Sequence, residues 1–128
     1  MELRLLKRGL IFNIFAVVLS DGTCPAEEYL ELMKRNDLAS HRSLVNILIR
    51  HADHGPIMNK RKSRVIEDRE NLLEFKTSQG DRLVYFYLRD RRTVLTHGFH
   101  KGAVASTEYD RAETIRNQFC MEVENGKS

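Results

Sequence analysis

Three short segments rich in apolar and aromatic residues follow one another in the second half of the chain, at residues 72–76, 82–88 and 93–100. The linkers between them, 77–81 and 89–92, are short and polar. Segments of this length and spacing are typical of β-strands joined by hairpins. The pattern therefore predicts an antiparallel meander, because strands joined by hairpins run in opposite directions.

Helical patterns flank the meander. A helix start is predicted at Cys24-Pro25, where the proline is followed by two acidic residues. Apolar residues at helical spacing predict a second helix over 38–52 and a third over 107–121. The apolar side of the third helix would carry Tyr109, Ala112, Ile115 and Phe119. With a first strand upstream, the predicted order is β-α-α-β-β-β-α, an α+β fold in one domain over residues 1–128.

The first twenty residues allow two interpretations. They begin with basic residues and continue with an apolar run, as a short signal peptide does. The run at residues 11–19 is also rich in Ile, Phe and Val, which favours a first β-strand. Cys24 and Cys120 lie far apart, which predicts two reduced thiols in a cytoplasmic protein. No apolar run is long enough to cross a bilayer.

Positive charge is concentrated in the meander and the segment before it. The whole chain has a formal net charge of +3, whereas residues 55–102 alone carry 11 Lys or Arg against 6 Asp or Glu. Two basic runs in linkers could bind an RNA backbone, or could simply be solvated loops. Their residues are Lys60, Arg61, Lys62, Arg64, Arg89, Arg91 and Arg92.

Histidines recur three positions apart at the end of the second predicted helix, at His51 and His54. A zinc site needs further ligands, and the sequence places none nearby. We therefore expect a pair of surface histidines and no metal site.

The strand register can be worked out if the first hairpin loop is odd and centred on Gln79, and the second loop is even. One face of the meander then presents Glu74, Lys76, Arg82 and His97. The other face presents Leu73, Phe75, Leu83, Tyr85 and Tyr87, which would pack on the helices. The polar face has two interpretations: a phosphate site with an imidazole that exchanges protons near neutral pH, or an ordinary solvated face.

Four stretches together carry a resemblance to a known family: LLEFK at 72–76, RLVYFY at 82–87, VLTHGFHK at 94–101 and YDRA at 109–112. With the upstream strand and helices, they resemble the RelE/ParE toxin superfamily, most closely the phage-derived HigB-like toxins. The spacing of Arg82 from His97-Gly98-Phe99 and Lys101 is the most specific part of this likeness.

The resemblance implies a RelE-like toxin fold, in which an antiparallel sheet carries two N-terminal helices on one face and a C-terminal helix. It implies the toxin of a type II toxin–antitoxin system, a metal-independent endoribonuclease that cleaves messenger RNA, often on the ribosome. The implied partners are a cognate antitoxin, expected to be a small helix-turn-helix protein, and messenger RNA with the ribosome. No cofactor and no membrane are implied, and a homodimer is left open.

The expected catalytic residues are Arg82, His97, Lys101, Lys76, Glu74 and Tyr85. Arg82 and Lys101 would bind the phosphate in the transition state with electrostatic help from Lys76. His97 would act as general acid or base with support from Glu74. Tyr85 would join this site only if the register were shifted by one residue.

The chain also departs from the family pattern. Lys76 stands where the family has arginine, Gly102 where it has a second lysine, and Ser106-Thr107 where it tends to have Thr-Pro. Lysine keeps the charge but not the bidentate geometry of arginine. A non-catalytic or decayed toxin-fold protein that binds RNA, gyrase or a partner protein is therefore the alternative.

Overall fold

The computed structural model describes residues 1–125, so the end of the predicted domain at residue 128 lies outside the described residues. The elements in chain order are β1 (Glu2–Arg8), β2 (Asn13–Val18), α1 (Pro25–Asn36), α2 (Leu38–His54), β3 (Ser63–Val65), β4 (Leu73–Lys76), β5 (Asp81–Leu88), β6 (Arg92–His100) and α3 (Ala105–Asn125). The strands of the described residues form one mixed sheet in the order β1-β2-β6-β5-β4-β3, in which β2 and β6 run parallel and the other neighbours antiparallel. Within residues 1–125, no helix combines the length and apolar character that crossing a membrane requires.

The α+β class and the meander β4–β5–β6 are as predicted, but two further strands were not predicted. β1 forms from the basic start of the chain and pairs with β2, which occupies the predicted first strand. β3 forms inside the segment that was predicted as a basic connection, and pairs with β4. Both are edge strands, where charged side chains stay in water, so a search for apolar runs misses them. The first two helices therefore follow a hairpin, and the sheet has six strands where four were predicted.

The helices α1 and α2 pack on one face of the sheet. Pro25 opens α1, and α2 begins where the Asp37 carboxylate accepts a hydrogen bond from the Ser40 backbone N–H at 3.2 Å. Their apolar side chains form a core with the sheet residues Ile14, Ala16, Phe75, Leu83, Tyr85 and Leu95. The predicted assignment of Phe75, Leu83 and Tyr85 to this face is confirmed. Cys24 and Cys120 are both free, the first buried and the second exposed.

The register of the meander is confirmed at each predicted pair. These pairs are Lys76–Arg82, Glu74–Val84, Val84–His97 and Arg82–Phe99. The even second loop is nevertheless wrong, because Leu88 pairs with Arg92 across a loop of three residues. A β-bulge that leaves Thr96 unpaired adds one residue to β6 and restores the predicted alignment at His97.

The helix α3 covers the opposite face of the sheet. Its predicted apolar side is confirmed, since Tyr109, Ala112, Ile115 and Phe119 are buried there against Val84, Phe86, Val94 and Phe99. The interpretation of this face as an ordinary solvated one is therefore wrong. The polar residues of this face alternate with large apolar ones that must be shielded from water. As a result, Glu74 and His97 are fully buried beneath α3.

Gly98 allows α1 to approach β6 closely. A Cβ atom at this position would lie 2.6 Å from the Tyr29 ring and 2.9 Å from the Leu83 side chain. Tyr29 has little freedom to move away, because its hydroxyl donates a hydrogen bond to Asp81 at 2.5 Å. We expect Gly98→Ala to lower the free energy of unfolding by about 2 kcal/mol in urea denaturation, since a packed core must shift to accept the methyl group.

Gly102→Ala is the matched control for Gly98→Ala. The nearest atom to a Cβ at Gly102 lies 4.0 Å away, so we expect a change within about 0.5 kcal/mol. Equal stability of the two variants would contradict a packing role for Gly98.

Candidate functional site

A buried carboxylate organises a group of polar side chains between the sheet and α3. Glu74 accepts hydrogen bonds from the Tyr109 hydroxyl at 2.9 Å and from Arg64 Nε at 2.6 Å. The Arg82 guanidinium lies 3.6 Å from Glu74 and donates to the Tyr109 hydroxyl at 3.1 Å. The bond to Glu74 raises the pKa of Arg64. We call these four residues the Glu74 cluster; two cations face one carboxylate, so the cluster keeps a positive charge.

His97 lies in the same interface but has different partners. Its Nε2 is 2.9 Å from Oε2 of Glu108 on α3, and its Nδ1 is 3.2 Å from the Thr96 hydroxyl. Burial lowers the pKa of His97, although the bond to Glu108 opposes this shift. The lowered pKa favours the neutral ring at pH 7, in which Nε2–H donates to Glu108, while the Thr96 hydroxyl donates to the Val84 carbonyl at 3.2 Å. In this state His97 ties α3 to the sheet.

Phe99 separates His97 from Arg82 on the shared face. Its ring stacks on His97 with the centroids 5.9 Å apart, and the Arg82 guanidinium carbon lies 6.0 Å from the centre of the same ring. The side chain of Arg82 is 21% exposed, whereas that of His97 is 1% exposed. The Arg82 side chain is thus partly accessible to solvent, whereas the imidazole of His97 is not.

Two more predicted cations lie at the same end of the sheet as Arg82. Lys76 pairs with Arg82 across β4 and β5, and Lys101 follows β6 in a turn where its backbone N–H donates to the Gly80 carbonyl at 2.8 Å. Within residues 1–125, neither lysine forms an ion pair. Their charges therefore add to the positive potential at this end of the sheet.

Tyr85 lies on the opposite face of the sheet. Its hydroxyl is 2.7 Å from the Ser63 hydroxyl, and burial raises its pKa. Because the register is the predicted one, Tyr85 is not brought to Arg82 and Lys76.

The two basic segments lie at opposite ends of the sheet. Arg64 belongs to the Glu74 cluster, while Lys60, Arg61 and Lys62 are exposed beside the end of β4. The other group lies at the tip of the β5–β6 hairpin, about 20 Å from Arg82 along β5. Its members are Arg89, Arg91 and Arg92. Only the first segment adjoins the Arg82 end of the sheet.

The sequence did not identify Tyr109 or Glu108 as parts of this site. Tyr109 was predicted only as a member of the apolar side of α3, yet its hydroxyl links Glu74 to Arg82. The tyrosine was itself a signal, because a buried phenol needs a hydrogen-bond partner. Glu108 offered no comparable signal, since its contact with His97 depends on how α3 crosses the sheet.

One family profile, described as Phage derived protein Gp49-like (DUF891), matches residues 31–119. The match covers more than half of the chain and includes every residue of the Glu74 cluster. The chain belongs to the Gp49-like family. This Gp49-like family belongs to the RelE/ParE-like toxin group, and its members are often toxins of toxin–antitoxin systems, which implies an antitoxin partner. The resemblance is thereby confirmed at the level of the toxin group. Comparison with curated proteins gives no match.

Proposed function

We propose that this protein is a HigB-like toxin that cleaves messenger RNA at the end of the sheet where Arg82 is partly exposed. The observation that carries the proposal is the partly open Arg82 guanidinium, held by Tyr109 and Glu74, in a chain of the Gp49-like family. Its planar donors suit a phosphate group. Lys76 and Lys101 add positive charge at the same end of the sheet.

The reaction that suits these groups is attack of an RNA 2′-hydroxyl on the adjacent phosphorus. The 2′-oxygen forms a bond to phosphorus and loses its proton, while the bond to the 5′-oxygen breaks and that oxygen gains a proton. The products are a 2′,3′-cyclic phosphate and a free 5′-hydroxyl, and no metal or cofactor is required. Negative charge builds on the phosphoryl oxygens during attack. Arg82, Lys101 and Lys76 would stabilise it, a contribution that can account for most of such a rate enhancement.

The residues predicted to transfer protons already have hydrogen-bond partners within the protein. Glu74 is committed to Arg64 and Tyr109, and Nε2 of His97 is committed to Glu108. A general acid or base must reach the atom whose proton it exchanges. His97 therefore stays a predicted acid–base residue that requires Glu108 to release Nε2, and Glu74 serves to position Arg82.

The burial of His97 and Glu74 favours a second candidate function, a non-catalytic toxin-fold protein that binds RNA or a partner protein. Such a protein would use the same exposed cations and would need no proton transfer. The two candidates differ in whether RNA is cut.

We propose a cognate antitoxin, a small helix-turn-helix protein, as the physiological partner, and messenger RNA on the ribosome as the substrate. The test is induced expression in a bacterial host, followed by growth curves and mapping of RNA 5′ ends. We expect growth arrest with new ends inside coding regions, relieved when the product of the adjacent gene is expressed as well. Growth arrest without new ends would favour the non-catalytic candidate. Unimpaired growth without new ends would contradict the toxin function.

A further inference from the structure

A cavity of about 530 Å³ lies at the edge of the sheet, between α2, the connection before β3 and the β4–β5 turn. We call it the α2 pocket. Helix α2 contributes Ser43, Asn46, Ile47 and Arg50, which lie at the spacing of a single helix face. The connection and the turn contribute Asn59, Arg61, Lys62, Lys76, Thr77 and Ser78.

The charge around the α2 pocket is one-sided. Among the described residues, four cations line it, Arg50, Arg61, Lys62 and Lys76, and no carboxylate does. None of the four forms an ion pair with another of the residues that the structure describes. Converging cations without a counter-charge create a positive potential that attracts anions. The remaining polar lining consists of hydroxyl and amide groups, which can bond to phosphate oxygens and sugar hydroxyls.

The walls of the α2 pocket are held by backbone hydrogen bonds. The Lys62 carbonyl accepts from the Lys76 N–H at 2.8 Å, which continues the β3–β4 pairing. The Asn59 carbonyl accepts from the N–H groups of Lys62 and Ser63, and the Asn59 side chain accepts from Arg61 N–H at 2.9 Å. The cavity therefore exists before a ligand arrives, and its volume is typical of pockets that enclose one small-molecule-sized group.

We propose that the α2 pocket binds a phosphodiester and its sugar within a single-stranded RNA. Lys76 connects the pocket to the proposed active site, because it lines the cavity and pairs with Arg82 across β4 and β5. An RNA strand seated in the pocket would thus contact Lys76, the residue that pairs with Arg82 on the neighbouring strand. The choice of RNA as the ligand rests on the proposed function. The pocket adds a contact that is independent of sequence, since backbone contacts position a strand without reading its bases.

The test measures binding of a single-stranded oligonucleotide whose 2′-hydroxyls are all methylated, so that it cannot be cut by 2′-hydroxyl attack. Fluorescence anisotropy over a range of salt concentrations gives the affinity and its salt dependence. We expect Arg50→Ala to weaken binding about tenfold for unrelated sequences alike, and to reduce the slope of log K against log salt by about 0.7. Arg42→Ala is the matched control, because Arg42 is an exposed arginine of the same helix outside the pocket, and it should leave both values unchanged.

The outcomes separate this inference from the proposed function. Arg50-dependent binding by a protein that cuts no RNA in cells would support the pocket and contradict the nuclease activity. Wild-type affinity and salt slope in Arg50→Ala would overturn the inference, even if RNA is cut. Binding of inorganic phosphate or of polyglutamate that depends on Arg50, without such binding of RNA, would overturn it as well, and would assign the pocket to a free anion or to an acidic protein.

Discussion

Replacement of Arg82 by alanine is expected to abolish growth arrest and to slow RNA cleavage at least about 100-fold. Arg82 lies on β5 with its side chain 21% exposed, and the Tyr109 hydroxyl holds its guanidinium at the proposed phosphate site. Loss of a preorganised donor to a developing oxyanion typically costs a factor of about 100 to 1,000 in rate. Mapping of RNA 5′ ends and a timed assay on a defined messenger RNA measure the effect.

The fold should survive Arg82→Ala, because Glu74 keeps its bonds to Arg64 and Tyr109. Circular dichroism and thermal unfolding check this directly. Arg82→Lys should give an intermediate rate, since it keeps the charge but not the paired donors. Arg42→Ala, at an exposed position of α2, is the control and should retain wild-type toxicity. A folded Arg82→Ala protein of full toxicity would remove Arg82 from the mechanism.

Acid is expected to destabilise the protein through His51 by about 3 kcal/mol between pH 7 and pH 4. His51 is fully buried and stacks on Phe12 with ring centroids 4.6 Å apart. Its Nε2 is 2.8 Å from the Thr93 hydroxyl, and its Nδ1 has no hydrogen-bond partner among the described residues. Burial lowers the pKa of this imidazole to about 4. The unfolded chain takes up the proton near pH 6.5, so it binds more protons in this window and stability falls as the pH falls.

Urea denaturation at several pH values measures this effect when the wild type is compared with His51→Gln. Glutamine places an amide near the position of Nε2, so it can keep the bond to Thr93, and it does not titrate. The difference in unfolding free energy between the two proteins should change by about 3 kcal/mol across the window, while the carboxylates titrate alike in both. His54→Gln, at an exposed position of the same helix, should follow the wild type. An unchanged pH dependence in His51→Gln would rule out His51 as its source.

The burial of His51 could not be predicted from the sequence. His51 and His54 were predicted together as surface residues, yet one of them is fully buried beside Phe75 and Tyr85. Helical spacing establishes that two residues share a helix face. It does not show which of two histidines on that face is buried, because histidine occurs both in protein cores and on surfaces. The packing of α2 on the sheet decides it.

In the meander, by contrast, the predicted loop length is wrong, but the predicted register at His97 is confirmed. The loop between β5 and β6 has an odd number of residues, but the bulge at Thr96 adds the missing position before His97. The alternation of apolar and polar residues in the strands had already specified which side chains share a face. Shifting the register by one residue would have buried the wrong set.

By itself, the sequence determined the order of the main elements and membership of the toxin group. It also placed four polar residues on one sheet face: Glu74, Lys76, Arg82 and His97. These follow from local periodicity and from motif spacing, which depend on neighbours in the chain. The tertiary structure alone decided that α3 covers this face, that Glu74 and His97 are sealed beneath it, and that Lys76 joins Arg50 around a cavity. Each of these depends on contacts between residues far apart in sequence. Shielding Val84 and Phe99 from water stabilises the fold enough that the polar residues beside them, Glu74 and His97, are buried as well.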